Sequence, residues 1–401
     1  MMKTGHKTIL HGVTAAAAAL AVCAATPAAA QEIVIGLNTV MSGVLKTVGE
    51  TTVTAVDIAV EEINAKGGIG GKKIKLVKFD TGSDPKQAAT GTQKFVQDDK
   101  ALAIIGPFSS GEAAVAFPVG ERMGIVEIPN AASTPGLTKG FSYAWRLTAD
   151  EGTQFTRLLK TLGKKGIKHD TAEIIYVSDE RVSNISGTTF YPAILKANNV
   201  IFGQSIGIQL KSFDVSPQVA QALERKPDVV AIAGTPDSAG KVIKELRRQG
   251  FTGRVIGSQI FADPNSLDLF GRDADGMIIV AGFWWDRNDA TRAFSKKFEA
   301  ENAKRGLAAK KIPHHTDAQA YDIVYLLKQA MEKAGVTGDS AKLEQERTAI
   351  RDALQGIRFT GVTGENTCFN ADRDARLPGF VIEIKDLKWN LYDSWPADNC
   401  Q

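Results

Sequence analysis

Ile104–Glu112, with the sequence IIGPFSSGE, is an apolar strand pattern that runs directly into a helix start with two hydroxyl residues and a glycine. The first turn of a helix has backbone N–H groups without intrahelical partners and a partial positive charge. Because serine hydroxyls add further donors, Ser109, Ser110 and Gly111 are typical of a carboxylate site. A serine pair that only caps the helix explains the same residues, and both interpretations stay open here.

The next apolar strand pattern, Val126–Ile128, ends in a similar way. It is followed by Pro129–Pro135, in which small and hydroxyl residues predominate. The carboxyl ends of parallel strands share one edge of a sheet, and open α/β sheets bind ligands at that edge. We therefore expect the residues of this stretch to converge with the preceding serines on one pocket.

Strand and helix patterns alternate along most of the chain. From Ile33 to Ile128 the order is β-α-β-α-β-α-β, with Asp84 predicted as the cap of the second helix and residues 110–123 as the third helix. A second series of similar size runs from Gly152 to Val280, with an irregular stretch at 180–184 and a helix predicted at 188–198. Such alternation predicts parallel sheets with right-handed crossover connections. The fold class is therefore α/β, with two units that follow one another.

The chain after Gly282 contains three helical patterns and then a pair of strand patterns. The helices span about 289–305, 316–334 and 341–354, and the strands about 380–384 and 390–395. No linker rich in Pro, Gly or Ser separates the units, so we expect two lobes with several short crossings between them. The predicted lobes are 32–148 plus about 284–360, and 149–283 plus about 361–401.

Residues 1–30 have the three parts of a secretory signal peptide. Lys3 and Lys7 supply positive charge, an apolar run covers Val13–Val22, and small residues precede Gln31. We predict export to the periplasm with cleavage after residue 30. Cys23 offers a lipoprotein alternative, which the bulky Val22 before it disfavours.

Composition excludes several classes of protein. The 401 residues have a net charge of +3, and removing residues 1–30 takes away two lysines, which leaves +1. This near-neutral balance disfavours a nucleic-acid partner, and 43% hydrophobic residues exclude a disordered chain. Cys368 and Cys400 are the cysteines that remain after cleavage, and in an exported chain they suggest a disulfide, with two free thiols as the alternative.

The usual cofactor and catalytic motifs are not matched. The glycine-rich stretch Gly67–Lys72 fails the phosphate-loop pattern, because Lys66 stands where a glycine is needed and Lys73 where Ser or Thr is needed. The adjacent histidines His314 and His315 lack the spacing of metal ligands, although His315 is a candidate for lining a cleft. No G-x-S-x-G elbow surrounds the serines, so we predict no cofactor, no metal and no enzyme activity.

Several segments taken in order resemble the periplasmic ligand-binding proteins of ABC importers, in particular the branched-chain amino-acid type. The segments are Ile35–Gly36, Met41–Gly43, Glu61–Ile69, Asp84–Ala88, Gly106–Gly111 and Pro135–Thr138. The resemblance covers essentially the whole chain after residue 30. It implies two Rossmann-like lobes joined by three hinge crossings, the type I fold, with a ligand trapped between them by closure. It also implies carboxylate donors at Ser109–Gly111, a backbone contact at Ala131 and a hydroxyl contact at Ser133.

The chain departs from the family pattern at several expected ligand contacts. Gln259 stands where an acidic residue pairs with the ligand ammonium, Val48 stands where tyrosine is usual, and Thr235 stands where an aromatic pair begins. These changes favour a carboxylate without an ammonium, since a neutral amide cannot form an ion pair. Asp179, Glu180 or Asp237 remain possible acidic partners, which keeps an amino acid open.

Aromatic residues at Phe283–Trp285 fall where the chain is expected to cross between lobes. Trp285 is a candidate for stacking on an aromatic acid, and hinge or core packing is the alternative.

Three functions follow from these observations. The first is a monomeric binding protein that delivers a small amino acid, organic acid or amide to membrane permease subunits. The second is an exported hydrolase with a strand-end serine, which the missing elbow disfavours. The third is a sensor ectodomain of the same fold.

Overall fold

The computed structural model describes residues 1, 2, 5 and 31–399. Most of the predicted signal peptide and Cys400 therefore lie outside the described residues. Cys368 is buried, and its pairing with Cys400 stays a prediction.

The first lobe is built on a sheet of four parallel strands in the order β2-β1-β3-β4. The strands are β1 (Ile33–Thr39), β2 (Ile74–Asp80), β3 (Ala103–Ile105) and β4 (Val126–Ile128). From β1, the next strand along the chain is added on one side of the sheet, and β3 and β4 are added on the other side. Open α/β sheets bind ligands where the strand order changes in this way, here between β1 and β3. Gly106 has a φ of +111°, and a Cβ there would lie 2.1 Å from the Asn38 carbonyl oxygen, so only glycine lets the end of β3 approach β1 this closely.

Helices connect these strands as the apolar spacing predicts. They are α1 (Lys46–Ala65), α2 (Pro85–Gln97) and α3 (Ser110–Met123). The predicted Asp84 cap of α2 is confirmed, because its carboxylate accepts a hydrogen bond from the Lys86 amide at 2.8 Å.

The second lobe is built on a seven-stranded sheet in the order β11-β10-β9-β8-β7-β5-β6. The strands are β5 (Thr171–Val177), β6 (Ile201–Ile208), β7 (Val229–Ala233), β8 (Arg254–Gly257), β9 (Ile278–Ala281), β10 (Gly379–Lys385) and β11 (Lys388–Trp395). The first five are parallel, whereas β10 pairs antiparallel with both β9 and β11. The tail strands therefore extend the second sheet, which supplies the partner that they need.

Helices cover both faces of the second sheet, and the last helices pack in the first lobe. They are α4 (Glu151–Lys164), α5 (Arg181–Ile185), α6 (Tyr191–Ala197), α7 (Ser216–Leu223), α8 (Pro236–Arg248), α9 (Leu267–Phe270), α10 (Asp289–Lys304), α11 (His315–Lys333) and α12 (Leu343–Leu354). Buried side chains of α11 and α12 belong to the same core as those of the first sheet. The predicted α/β fold with two interleaved lobes is therefore confirmed.

Two details differ from the sequence prediction. Residues 180–184 are predicted as irregular, yet they form the start of α5, since the Glu180 carboxylate accepts from the Val182 and Ser183 amides. The predicted helix at 188–198 instead has a π-helical turn, Ser186–Phe190, before α6.

The last crossing between lobes also lies later in the chain than the sequence indicates. Ala375 and Leu377 pack in the core of the first lobe, and Gly379 begins β10 of the second. The sequence places this crossing near residue 360. The remaining lobe boundaries stay predictions.

Candidate functional site

The start of α3 lies at the end of β3, where the sequence places the carboxylate site. The Ser109 hydroxyl accepts from the Glu112 amide at 3.3 Å, and the Glu112 carboxylate accepts from the Ser109 amide at 2.8 Å. These two bonds form a capping box, so the Ser109 hydroxyl has the role of a helix cap. Ser110 and Gly111 occupy the first two helical positions and are half-buried, with their amides in the part of the helix that lacks intrahelical acceptors.

The two neighbouring strand ends meet as expected. The Thr134 amide, in the loop after β4, donates to the Ser110 hydroxyl oxygen at 3.2 Å. Ala131 is half-buried and Ser133 is buried in the same loop. The polar residues after β3 and β4 therefore form one continuous surface.

A buried hydrogen-bond network joins this surface to the second lobe. The Ser133 hydroxyl donates to Glu151 Oε2 at 3.4 Å, and the Tyr191 hydroxyl donates to Glu151 Oε1 at 2.8 Å. Glu151 begins α4, and Tyr191 begins α6 and stacks on Phe155 with ring centroids 4.2 Å apart. The network therefore spans the space between the lobes.

Glu151 is a candidate site residue that the sequence interpretation does not include. Burial raises the pKa of Glu151, while hydrogen bonds from Tyr191, Ser258 and Ser133 partly offset that rise. Asp150 already caps α4, with its carboxylate accepting from the Thr153 amide at 2.8 Å. Because Asp150 is sufficient to cap α4, the cap does not require a second acid at position 151. This additional acid is the signal in the sequence that could have identified Glu151.

None of the three acidic residues proposed from the sequence contacts Ser133, and two of them have other partners. Asp179 accepts from the Leu210 amide at 2.7 Å, and Glu180 caps α5. Asp237 is exposed in the first turn of α8. Glu151, in contrast, contacts the Ser133 hydroxyl.

Thr235 and Val48 lie on opposite lobes. Thr235 caps α8 at the end of β7, with its hydroxyl accepting from the Ser238 amide at 3.4 Å, and it is half-buried. This arrangement repeats in the second lobe what Ser109 does in the first. Val48 is half-buried in α1, and its carbonyl oxygen accepts from the Thr51 hydroxyl at 3.2 Å.

Gln259 connects the end of β8 to α11 and to the first crossing between the lobes, which the sequence places at residues 148–149. Its side-chain nitrogen donates to the Ala149 carbonyl oxygen at 3.4 Å. His314 Nε2 donates to the Gln259 carbonyl oxygen at 3.2 Å. Burial lowers the pKa of His314, and the negative charge of Asp263 partly offsets this effect. The net shift favours the neutral form of the imidazole.

A sequence profile described as periplasmic binding protein matches residues 32–388. The chain belongs to this family. A Leu/Ile/Val-binding protein, BraC3, of Rhizobium johnstonii is 28% identical over 371 residues, covering 88% of this chain and 94% of the relative.

Solved structures of binding proteins share the fold. The substrate-binding protein LivJ of Streptococcus pneumoniae, in complex with isoleucine, superposes with a TM-score of 0.75 at 23% identity, covering 91% of this chain and 99% of the other. A solute-binding protein of R. palustris in complex with benzoate gives a TM-score of 0.76 at 23% identity, covering 92% and 98%. At this identity the likeness concerns the fold alone.

Trp285 lies at the second crossing between the lobes of this periplasmic binding protein, which the sequence places at residues 283–284. Its ring lies 4.1 Å from that of Trp284 between centroids, with the planes tilted by 39°. It is half-buried and packs against buried clusters that include Phe283 and Phe261. The ring therefore contributes to hinge packing and keeps part of its surface accessible.

Within residues 31–399, no group of three or more His, Cys, Asp or Glu side chains is placed to hold a metal ion. Across the same range, no helix combines the length and apolar character needed to span a membrane.

Proposed function

We propose that this chain is the exported ligand-binding component of an ABC uptake system. It captures a small amino acid or related carboxylate between its lobes, closes around it by hinge motion, and delivers it to membrane permease subunits. It acts as a monomer and makes or breaks no covalent bond in the ligand.

The observation that carries this proposal is the link from Ser133 through Glu151 to Tyr191. Ser133 belongs to the first lobe, whereas Glu151 and Tyr191 belong to helices packed on the second. A ligand that binds at Ser133 therefore meets groups from both lobes, and such contacts favour the closed arrangement over an open one.

The carboxylate of the ligand is expected at the start of α3 and the loop after β4. The amides of Ser110 and Gly111 and the partial positive charge of the helix end supply donors and an attractive field. The Ser133 hydroxyl turns from Glu151 to the ligand, because a hydroxyl hydrogen rotates freely between acceptors.

An amino-acid ligand is supported by Glu151. The sequence lacks an acid at Gln259, but Glu151 places a buried carboxyl group beside both Ser133 and Ser258. A ligand ammonium favours the ionised form of that carboxyl, which compensates the cost of burying it. The relative in Rhizobium johnstonii is named for leucine, isoleucine and valine, which agrees with this class.

An aromatic acid is the second candidate, and it is favoured by Trp284 and Trp285. The tilted pair offers an aromatic surface at the second crossing, on which an aromatic ligand ring can pack. The benzoate complex of the R. palustris solute-binding protein shows that this fold accommodates such a ligand.

Export and covalent processing are part of the same proposal. Cleavage after residue 30 and a Cys368–Cys400 disulfide are supported by the composition of the N-terminus and by the location of both cysteines in the exported chain. Intact mass of the secreted protein tests both points. We expect the mass of a chain that begins at Gln31, reduced by two hydrogens because of the disulfide. A lipid-modified Cys23 would contradict the predicted cleavage, and two reactive thiols would contradict the disulfide.

A thermal-shift screen tests the proposed function. The panel contains α-amino acids, benzoates, short aliphatic acids and amides. A ligand that binds only the folded chain raises its melting temperature. We expect at least one carboxylate to produce a concentration-dependent rise, and the absence of any rise across the panel would contradict the proposal.

A further inference from the structure

Three buried polar side chains lie close together where the first and second crossings pass the N-terminal end of α11. Gln259 is 3% exposed, His315 is 4% exposed and Gln319 is fully buried. They come from the loop after β8 and from the first two turns of α11, so both lobes contribute to this cluster. We call it the hinge cluster.

Each member has a polar atom without a hydrogen-bond partner. These atoms are Gln259 Oε1, His315 Nδ1 and Gln319 Nε2. A buried donor or acceptor that stays unpaired destabilises the fold, so three such atoms in one place are unfavourable unless another group satisfies them.

The unpaired atoms of the two glutamines both lie next to Gly282. A Cβ built on Gly282 would lie 3.1 Å from Gln319 Nε2, 3.3 Å from Gln259 Oε1 and 3.3 Å from His315 Cβ. The unpaired donor and the unpaired acceptor are therefore close enough to each other for one small polar group to contact both.

Neighbouring groups orient both amides. The Ala149 carbonyl can only accept, so it binds the Gln259 nitrogen and directs the Gln259 oxygen toward Gly282. The Thr148 hydroxyl donates to Gln319 Oε1 at 2.8 Å, which directs the Gln319 nitrogen toward the same place. The cluster therefore presents an acceptor from one lobe and a donor from the other.

The hinge cluster is uncharged. Burial lowers the pKa of His315 well below its usual range, and the nearby His314 lowers it further. Burial also raises the pKa of Asp317, the neighbouring acid on α11, to about 7, so this acid is partly protonated at neutral pH. A cationic group entering this site would lose its hydration without gaining an ion pair from the glutamines or the imidazole.

We propose that the hinge cluster is a specificity subsite for an uncharged polar group of the ligand, a hydroxyl or a carboxamide. Such a group accepts from Gln319 Nε2 and donates to Gln259 Oε1, so it connects the two lobes when the cleft is closed. The inference rests on the proposed function and narrows it, because an apolar side chain leaves both glutamines unpaired and an ammonium is not compensated.

Two matched ligand pairs test this subsite by calorimetry on the mature chain. Asparagine and leucine have similar shapes but differ in a carboxamide against an isopropyl group, and 4-hydroxybenzoate and benzoate differ in one hydroxyl. In the pair that binds, we expect the polar member to bind at least about tenfold more tightly, since a site built for a hydrogen bond rejects the analogue that lacks it. Equal or tighter binding of the apolar member would overturn the inference.

Gln319→Met supplies the second test, and Gln154→Met is its matched control. Gln154 is also fully buried, and both its side-chain polar atoms lack partners, but it lies on α4 beside Gly379. We expect Gln319→Met to abolish the preference for the polar ligand and Gln154→Met to retain it. A preference that survives Gln319→Met would refute the subsite, and the wild-type ratio decides the matter if that variant does not fold.

The outcomes separate this inference from the proposed function. If apolar acids bind and Ser133→Ala weakens them, the binding function stands and the polar subsite is wrong. If 2,4-diaminobutyrate, which has an ammonium in place of the carboxamide, binds as tightly as asparagine, the uncharged character of the subsite is wrong. If no member of either pair and no acid of the thermal-shift panel binds, the proposed function fails and the subsite with it.

Discussion

The strand ends of the first lobe and the hinge cluster both present polar side chains between the lobes, but they differ in their partners. The hydroxyls of Ser109, Ser110 and Ser133 are each hydrogen-bonded within the protein. In contrast, one polar atom of each of Gln259, His315 and Gln319 is unpaired. The first region is thus organised before a ligand arrives, whereas the second gains its missing bonds from whatever binds there.

This difference suggests a division of roles. Pre-formed donors at a helix start recognise a group that many ligands share, such as a carboxylate. Unpaired buried amides discriminate among ligands, because a wrong group leaves them unsatisfied. Variants that affect one region alone therefore separate general affinity from selectivity.

The largest effect is expected from Ser133→Ala. Removing the hydroxyl takes a donor from the carboxylate and also breaks the contact with Glu151 between the lobes. We expect affinity for every carboxylate to fall by at least about tenfold, equivalent to about 1.4 kcal/mol. Calorimetry with each ligand from the screen provides the measurement.

Ser295→Ala is the control for that substitution. Ser295 lies on α10, and its hydroxyl donates to the Thr291 carbonyl oxygen at 2.8 Å, away from the cleft. It should leave affinity unchanged. Unchanged affinity in Ser133→Ala would remove the loop after β4 from the site.

Gln259→Glu is expected to change selectivity by about tenfold. It replaces the amide oxygen of the hinge cluster with a buried carboxylate, which repels a ligand acid that lacks an ammonium. Acids without nitrogen should bind more weakly, while ligands with an ammonium near this position should retain or gain affinity. Parallel losses for both ligand classes would show that Gln259 has only a structural role.

Trp285→Ala is expected to have a smaller effect that is confined to aromatic ligands. A stacked aromatic pair contributes about 0.5–1.5 kcal/mol, so benzoates should bind about twofold to tenfold more weakly. Trp395→Ala, on β11, serves as the control. A similar loss for aliphatic acids would instead assign Trp285 to hinge packing.

Glu127→Gln should leave ligand affinity unchanged and alter the pH dependence of stability. Glu127 is buried on β4 and accepts from the Thr92 hydroxyl at 2.5 Å, and burial raises its pKa from 4.5 to about 8. Folding favours the protonated form of Glu127, so the contribution of this residue to stability is greatest below pH 4.5. That contribution is lost as the pH rises toward 8, by up to about 1.4 kcal/mol per pH unit.

Denaturant unfolding between pH 5 and pH 8 checks this expectation. Glu127→Gln should lose less stability across that range than wild type. Glu299→Gln, an exposed change on α10, should behave as wild type does. Identical slopes for wild type and Glu127→Gln would show that Glu127 does not titrate in this window.

The sequence predicts the elements that local signals define. The bounds of α3 and the Asp84 cap of α2 match, because helix caps and apolar periodicity depend on residues close in the chain. The start of α5 has a local signal as well, the Glu180 cap, which the sequence interpretation did not use. The π-helical turn before Tyr191 has no such local signal, and Gly187 within it packs closely against Tyr176 of β5.

The site divides in the same way. Ser109, Ser110 and Ser133 follow directly from strand ends, so their proximity is predictable from the alternation of elements. The hinge cluster is not, because Gln259, Gly282 and Gln319 are brought together only by two chain crossings. Glu151 was missed for a related reason, as its contacts with Ser133 and Tyr191 exist only when the lobes are packed.

A crystal structure of the mature chain with the tightest ligand from the screen tests the central claim most directly. We predict a carboxylate within hydrogen-bonding distance of Ser133 and the Ser110 amide, with the distal group of the ligand against Gln259 and Gln319. A ligand found instead in the surface pocket lined by Cys368, Asn370, Arg376 and Asp398 would contradict the account.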